Sequence, residues 1–326
     1  MLPLHLEPLS VRTVELKRDQ NKGTTISFIS CDIEDAESLE KSVNSIDSIG
    51  NELGLKFEII IPVFRESPEI ESSLKKLAET LDSFSILRVK SLSKGYRMKA
   101  AFKSSSGKYI VPFSANVAYD IGLSDLIHSF TSLDEKRMLF SSLSVIPREV
   151  VSEVGSWRGL YCCEDIDLYS RIAVMYGVIA YPTSFYMAGP MKCNAASGNR
   201  IKRTFANRYR IQRDSIIGCN YSIWDLMAMY RNRPFFSRVT LFFTAMGSYL
   251  GSKFSKIKPF RFDRNNYLVF MESVFESLVI QDYKRIDNFS ADIKLGLSEE
   301  ESNYLLKKSR LFNEVYGSLS IFLMRK

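Results

Sequence analysis

The sequence predicts an α/β protein: a mostly parallel sheet flanked by helices, with a basic helical C-terminal extension. Three observations predict it. Short β-branched and aromatic runs alternate with stretches of helical period over the first 113 residues, and such alternation calls for parallel strands joined by right-handed crossovers. With 326 residues and 45% hydrophobic content, the chain has apolar material for one large domain, or for a domain with an appendage. Past Pro190 the character changes: residues 200–264 hold 14 Lys or Arg against three acids, an excess larger than the +7 of the whole chain.

Taken in order, residues 24–30 (TTISFIS) form a β-branched and aromatic run between Gly23 and Asp32 and read as a buried strand. Leu39, Val43, Ile46 and Leu53 then mark one face of a helix. Residues 57–63 (FEIIIPV) are the second strand, ended by Pro62 and a polar turn over 65–68. Ile70, Leu74, Leu77 and Leu81 follow at helical spacing. Residues 86–90 read as a third strand, 96–103 as a third helix and 108–113 (KYIVPF) as a fourth strand. Further on, Ile166, Ile172, Ala173 and Tyr176 place a helix that opens at Glu164 and stops at Gly177. Two helices are expected at the C-terminus. One carries the stripe Tyr267, Phe270, Met271, Val274, Leu278 and Val279; the other opens with Ser298 and Glu301 at capping-box spacing and continues through Leu305, Leu311, Val315 and Phe322. Such stripes cover a sheet or pair with a second copy, making a homo-oligomer.

Several function classes find little to build on. Five cysteines (Cys31, Cys162, Cys163, Cys193, Cys219) lack the CxxC spacing of zinc sites and read as reduced thiols. His5 and His128 stand beside no motif, so proton transfer falls to a carboxylate. No N-terminal apolar run has the length of a secretory signal. The longest uncharged apolar segment, 239–252, has 14 residues, whereas a bilayer span takes about 20. A cytoplasmic protein is expected.

The chemistry concentrates in residues 161–171, YCCEDIDLYSR. Two carboxylates, Glu164 and Asp165, stand at a helix mouth, where acids are favoured in any case by the unpaired amides and positive partial charge of the first turn. A turn containing Gly155 and Trp157, a short polar loop and then EDxDLxxR resembles the acceptor-side motif of family 2 glycosyltransferases, which have the GT-A fold, a Rossmann-like α/β architecture. The likeness runs from Thr24 to about Tyr186. It implies transfer of a sugar from a nucleotide-sugar donor to a hydroxyl of a glycan or lipid-linked acceptor, with inversion. It makes Asp165 the base, with Glu164 beside it and Trp157 and Arg158 on the acceptor side. Asp167 and Arg171, four apart on one helix, are expected to pair.

Residues 93–120 are similar to the family's approach to an Asp-x-Asp pair that holds Mg²⁺ or Mn²⁺ on the donor diphosphate. Here Ser114, Ala115 and Asn116 occupy the place and offer oxygens without negative charge. Asn116 and Asp120 remain as metal candidates. The alignment starts the domain at the first strand, because too few residues separate Pro62 from Lys94 for IIIPVFRES to open it. Ser30, Asp32, Glu66, Lys94, Arg97, Ser114 and Asn116 then fall on the donor side. Without a metal, cations must stabilise the leaving diphosphate. Lys94, Arg97 and Lys99 are candidates, with Arg200, Lys202 and Arg203 after a stretch, 188–199, that has the composition of a lid.

The expected organisation is an N-terminal extension over 1–23, a GT-A-like domain over 24–195 and a basic, mainly helical region over 196–326. Interleaved basic and apolar residues in that last region suit an anionic membrane surface, which would place the protein peripherally at the inner face of the membrane. They equally suit core helices with basic outer faces. A nucleic-acid groove has no support in the preceding domain. The alternative to an enzyme is a GT-A-fold binding or scaffold subunit without catalysis, suggested by the missing Asp-x-Asp.

Overall fold

The computed structural model describes residues 25–132, 134, 136–141, 143–176, 178–180, 187–190, 205–219, 221–229, 235–260 and 321–322. In chain order these form β1 (Ile26–Ile29), α1 (Ala36–Glu52), β2 (Phe57–Val63), α2 (Pro68–Thr80), β3 (Phe84–Arg88), α3 (Lys94–Ser104), β4 (Tyr109–Pro112), β5 (Val117–Tyr119), α4 (Leu123–Ser132), β6 (Met138–Phe140), β7 (Ile146–Pro147) and α5 (Arg148–Glu153). They continue with α6 (Glu164–Met175), β8 (Val178–Ala180), β9 (Met187–Pro190), α7 (Phe205–Gly218), α8 (Ile223–Met229), α9 (Phe235–Phe254) and β10 (Ile321–Phe322).

The main sheet has the order β3-β2-β1-β4-β7, with β1 to β4 parallel and β7 antiparallel at the edge. Strand side chains alternate between two faces, as the pleat requires. Ile26 and Phe28 of β1, Ile59 and Ile61 of β2, and Tyr109 and Val111 of β4 pack with α1, α2 and α4. Ile29, Ile60 and Ile110 point the other way, to Met98 and Phe102 of α3, Val150 and Val151 of α5, and Leu168 and Ile172 of α6. Burial on both faces explains why β2 is continuously apolar from Ile59 to Val63.

Side-chain caps fix the helix starts. Asp35 caps α1 through Ser38 N, Ser67 caps α2 through Ile70 N, and Ser93 caps α3 through Tyr96 N. The Ser93 cap moves the start of α3 back from the expected residue 96 to Lys94. β3 likewise begins at Phe84 rather than 86, because buried Phe84 pairs with Ile59 and extends the ladder. Phe322 falls in β10, paired in parallel with β8, and not in a helix. The rest of the two C-terminal stripes, Cys193, the 188–199 stretch apart from β9, Arg200, Lys202, Arg203 and the 195/196 boundary lie outside the described residues.

The helical extension packs on the α/β part through α7. Asp214, fully buried, accepts from Tyr161 N at 2.6 Å, and Cys163 Sγ lies 3.7 Å from Ser215 Oγ. α9 packs on α7 through both kinds of contact: Ser248 Oγ donates to Tyr209 O at 3.0 Å, and Ala245 packs with Ile216. Among the described residues, no helix is long and apolar enough to cross a membrane.

Candidate active site

In the sheet order 3-2-1-4, β1 runs out toward β2 on one side and the chain returns as β4 on its other side. The crevice at the carboxyl ends of β1 and β4 is therefore a topological switch point, where open α/β sheets bind ligands. A cavity of about 370 Å³ lies there, lined by Cys31 and Asp32 after β1 and by Phe113 and Ser114 after β4. Glu164 and Asp165 form part of the same lining, together with Lys94 from α3 and Tyr169 one turn along α6.

The acidic pair is aimed by the turn into α6. Cys163, its N-cap, has φ +59°, a left-handed conformation uncommon outside glycine. Its carbonyl accepts from Asp167 N at 2.9 Å. Asp167, almost fully buried, accepts from Arg171 at 2.9 Å and also from Arg158. Arg171 continues to the carbonyls of Val154 and Ser156. The pairing of Asp167 with Arg171 thus ties α6 to the loop that precedes it. Breaking one partner of so buried a pair strands a charge.

α3 is clamped against the same loop. Gly95 N donates to Leu160 O at 2.9 Å and Ser93 Oγ donates to Leu160 O at 2.8 Å. A Cβ at Gly95 would overlap the Arg158 carbonyl oxygen. The clamp sets Lys94 at the first position of α3, where the helix dipole disfavours a cation. Its ammonium is held by Asp32. Burial opposes its charge, but the hydrogen bond to Asp32 and the charges of Asp32 and Glu164 outweigh that and keep Lys94 above the usual lysine range.

Burial pushes the Glu164 carboxyl up to about 8, and the charge of Asp165 adds to the rise. Burial raises Asp165 too, against the pull of the Trp157 indole N–H and of Lys94. Trp157 Nε1 donates to Asp165 Oδ1 at 2.7 Å. An indole N–H only donates and binds a carboxylate more strongly than a carboxylic acid, so it favours Asp165 as the ionised member of the pair and Glu164 as the proton holder.

Of the residues singled out in the sequence, Glu164, Asp165, Asp32, Lys94 and Ser114 meet at this cavity. Others do not line it. Trp157 is fully buried, so its expected place beside an acceptor is corrected: it holds Asp165 from behind. Arg158 is likewise corrected, being bound to Asp167 and to the Lys258 carbonyl. Glu66 and Arg97 face each other at 3.7 Å, both largely buried. Ser30 is fully buried, with its Oγ 3.5 Å from Asp32 N, and Lys99 sits part-exposed on α3. Tyr119, Phe140, Ser141 and Ser144 line the cavity unannounced by any motif. Only Tyr169, four residues after Asp165, was readable, from helical periodicity.

The residues do not fit a divalent cation. Asn116 Oδ1 accepts from Glu34 N at 2.9 Å, Ser114 Oγ faces Asn116 N at 3.3 Å, and Asp32 is engaged by Lys94. Exposed Asp120 accepts from Gly122 N at 2.8 Å and lines no part of the cavity, which corrects its candidacy. Among the described residues, no cluster of three His, Cys, Asp or Glu has metal-binding geometry. A hard cation wants several oxygen ligands with negative charge, and here the carboxylate nearest Ser114 and Asn116, that of Asp32, already holds an ammonium.

No protein family matches the chain, and no curated protein matches it. Among solved structures it is similar to the mannosyltransferase PcManGT from Pyrobaculum calidifontis in complex with GDP-Man and Mn²⁺, at 12% identity over 96% of this chain and 91% of that one, TM-score 0.48. It is also similar to S. aureus TarS 1–349, at 10% identity over 85% of this chain and 98% of that one, TM-score 0.48. The same TarS fragment in complex with UDP-GlcNAc matches at 11% identity over 85% and 98%, TM-score 0.44. At these identities the likeness is one of fold and assigns no chemistry to the site.

Proposed function

We propose that the chain is an inverting glycosyltransferase that moves a sugar from a nucleotide-sugar donor to a hydroxyl of a glycan or lipid-linked acceptor. The observation that carries this reading is the meeting of an acidic pair and a lysine in one cavity at the switch point of the sheet. In this reading the Asp165 carboxylate takes the acceptor proton as the acceptor oxygen bonds to the anomeric carbon. On the opposite side, the bond from that carbon to the phosphate oxygen breaks. The leaving diphosphate gathers charge, and Lys94, partly desolvated, is placed to meet it. Glu164, protonated near neutral pH, donates a hydrogen bond to a sugar hydroxyl. Nucleotide sugars are what PcManGT and TarS carry in the complexes compared above, and the family resemblance on the acceptor-side EDxDLxxR motif implies the same donor class.

The test is turnover of purified protein with a panel of nucleotide sugars and glycan or lipid-linked acceptors. Asp165→Asn is expected to lower kcat by about 10² to 10⁴-fold while calorimetry shows donor binding intact. Donor binding without turnover in the wild type would favour the scaffold reading that Ser114-Ala115-Asn116 suggests. Because the donor set does not suit a cation, EDTA is expected to leave the rate unchanged, whereas Lys94→Met weakens binding of the nucleoside diphosphate. A rate restored only by Mn²⁺ would contradict this.

A further inference from the structure

α9 has two apolar faces. The one it turns toward α7 and the interior is narrow: Leu241 and Ala245 are buried there among Thr244, Ser248 and Ser252, and Tyr249 packs beside them. Five further apolar side chains face the other way, with Val239 39%, Phe243 64%, Met246 41%, Leu250 54% and Phe254 87% exposed. At 100° per residue these five fall within an arc of about 80°, so they make one continuous stripe along the helix. An amphipathic surface helix presents polar residues to water on that side.

Among the described residues, the charges that α9 and the segment after it place beside the stripe have one sign. α9 contains no Asp or Glu. Lys253 lies at the stripe's edge, and Lys256 and Lys258 follow at its C-terminal end, all three exposed. A long apolar stripe with cations at its margin is complementary to an anionic bilayer surface, where the apolar side chains enter the acyl boundary and the ammonium groups stay with the headgroups. A second copy packed parallel on the stripe would set the same cations against each other. A polyanion would leave the apolar side chains in water.

We infer that α9 lies in the plane of an anionic lipid membrane, with Val239, Phe243, Met246, Leu250 and Phe254 inserted and Lys253, Lys256 and Lys258 on the headgroups. The inference stands without the glycosyltransferase reading. It also gives the extension a place in the whole molecule, because α9 packs on α7 and Asp214 of α7 holds the backbone at Tyr161, three residues before the acidic pair.

The test is flotation of the full chain with vesicles of phosphatidylcholine alone and of phosphatidylcholine mixed with phosphatidylglycerol. Wild type is expected to float with the anionic vesicles, less at high salt, and not with the neutral ones. Since each lysine near an anionic surface contributes about 1 kcal/mol, or about fivefold in partitioning, the triple variant Lys253→Gln, Lys256→Gln, Lys258→Gln is expected to lose on the order of 100-fold. Phe243→Ser with Phe254→Ser is expected to lose flotation while keeping the wild-type thermal midpoint, because both side chains are already exposed. Wild type that stays at the bottom of the gradient overturns the proposal, as does flotation undiminished in both variants. A dimer in light scattering that dissociates in the phenylalanine variant would assign the stripe to a second copy and overturn it as well.

Discussion

At the scale of single residues, the site turns on how one carboxylate is kept ionised beside another. Trp157 is fully buried and aims its N–H at Asp165. That hydrogen bond pulls the Asp165 carboxyl down against the rise caused by burial. Removing it lets the carboxyl titrate higher. Trp157→Phe is therefore expected to move the acid limb of the pH–rate profile upward, since the lost hydrogen bond favours the charged form. The donor KM should change little, because Trp157 does not line the cavity. An unmoved limb with a uniformly lower rate would mean that Trp157 only fills space.

At the scale of elements, α3 and α6 deliver the lysine and the acids to one place through the 154–160 loop. Gly95 is required by close approach, with no room for a Cβ against the Arg158 carbonyl. Gly95→Ala is expected to pry α3 from the loop and lower diphosphate binding along with stability, both readable by calorimetry. On the other side, Arg171→Met leaves Asp167 without the buried one of its two cations. The expected cost is about 3 to 5 kcal/mol in chemical denaturation. A loss under about 1 kcal/mol would show that Arg158 alone neutralises Asp167.

At the scale of the whole molecule, the acidic pair couples the cavity to folding. Glu164 titrates near 8 in the folded chain against 4.5 when free. Between those values the native state holds a proton that the unfolded chain has released, so unfolding free energy falls as pH rises through the window. Glu164→Gln is expected to be stabilising at about pH 8 and nearly neutral at about pH 4, with a flatter dependence of the thermal midpoint between them. A parallel pair of curves would count against Glu164 as the group responsible. Such stored instability in a cavity is common where a site is built for chemistry in place of packing.

What the sequence determined by itself is whatever local periodicity and capping dictate. The alternation of strands and helices through β4, the start of α6 at Glu164 and the pairing of Asp167 with Arg171 were all legible, because each depends on neighbours within a few residues. That Asp32, Lys94 and Ser114 share one cavity with Glu164 and Asp165, that Trp157 is buried behind Asp165 while Arg158 is held by Asp167, and that the α9 stripe turns outward were decided by tertiary structure. Contacts between residues tens of positions apart depend on strand order and helix rotation, and composition carries neither.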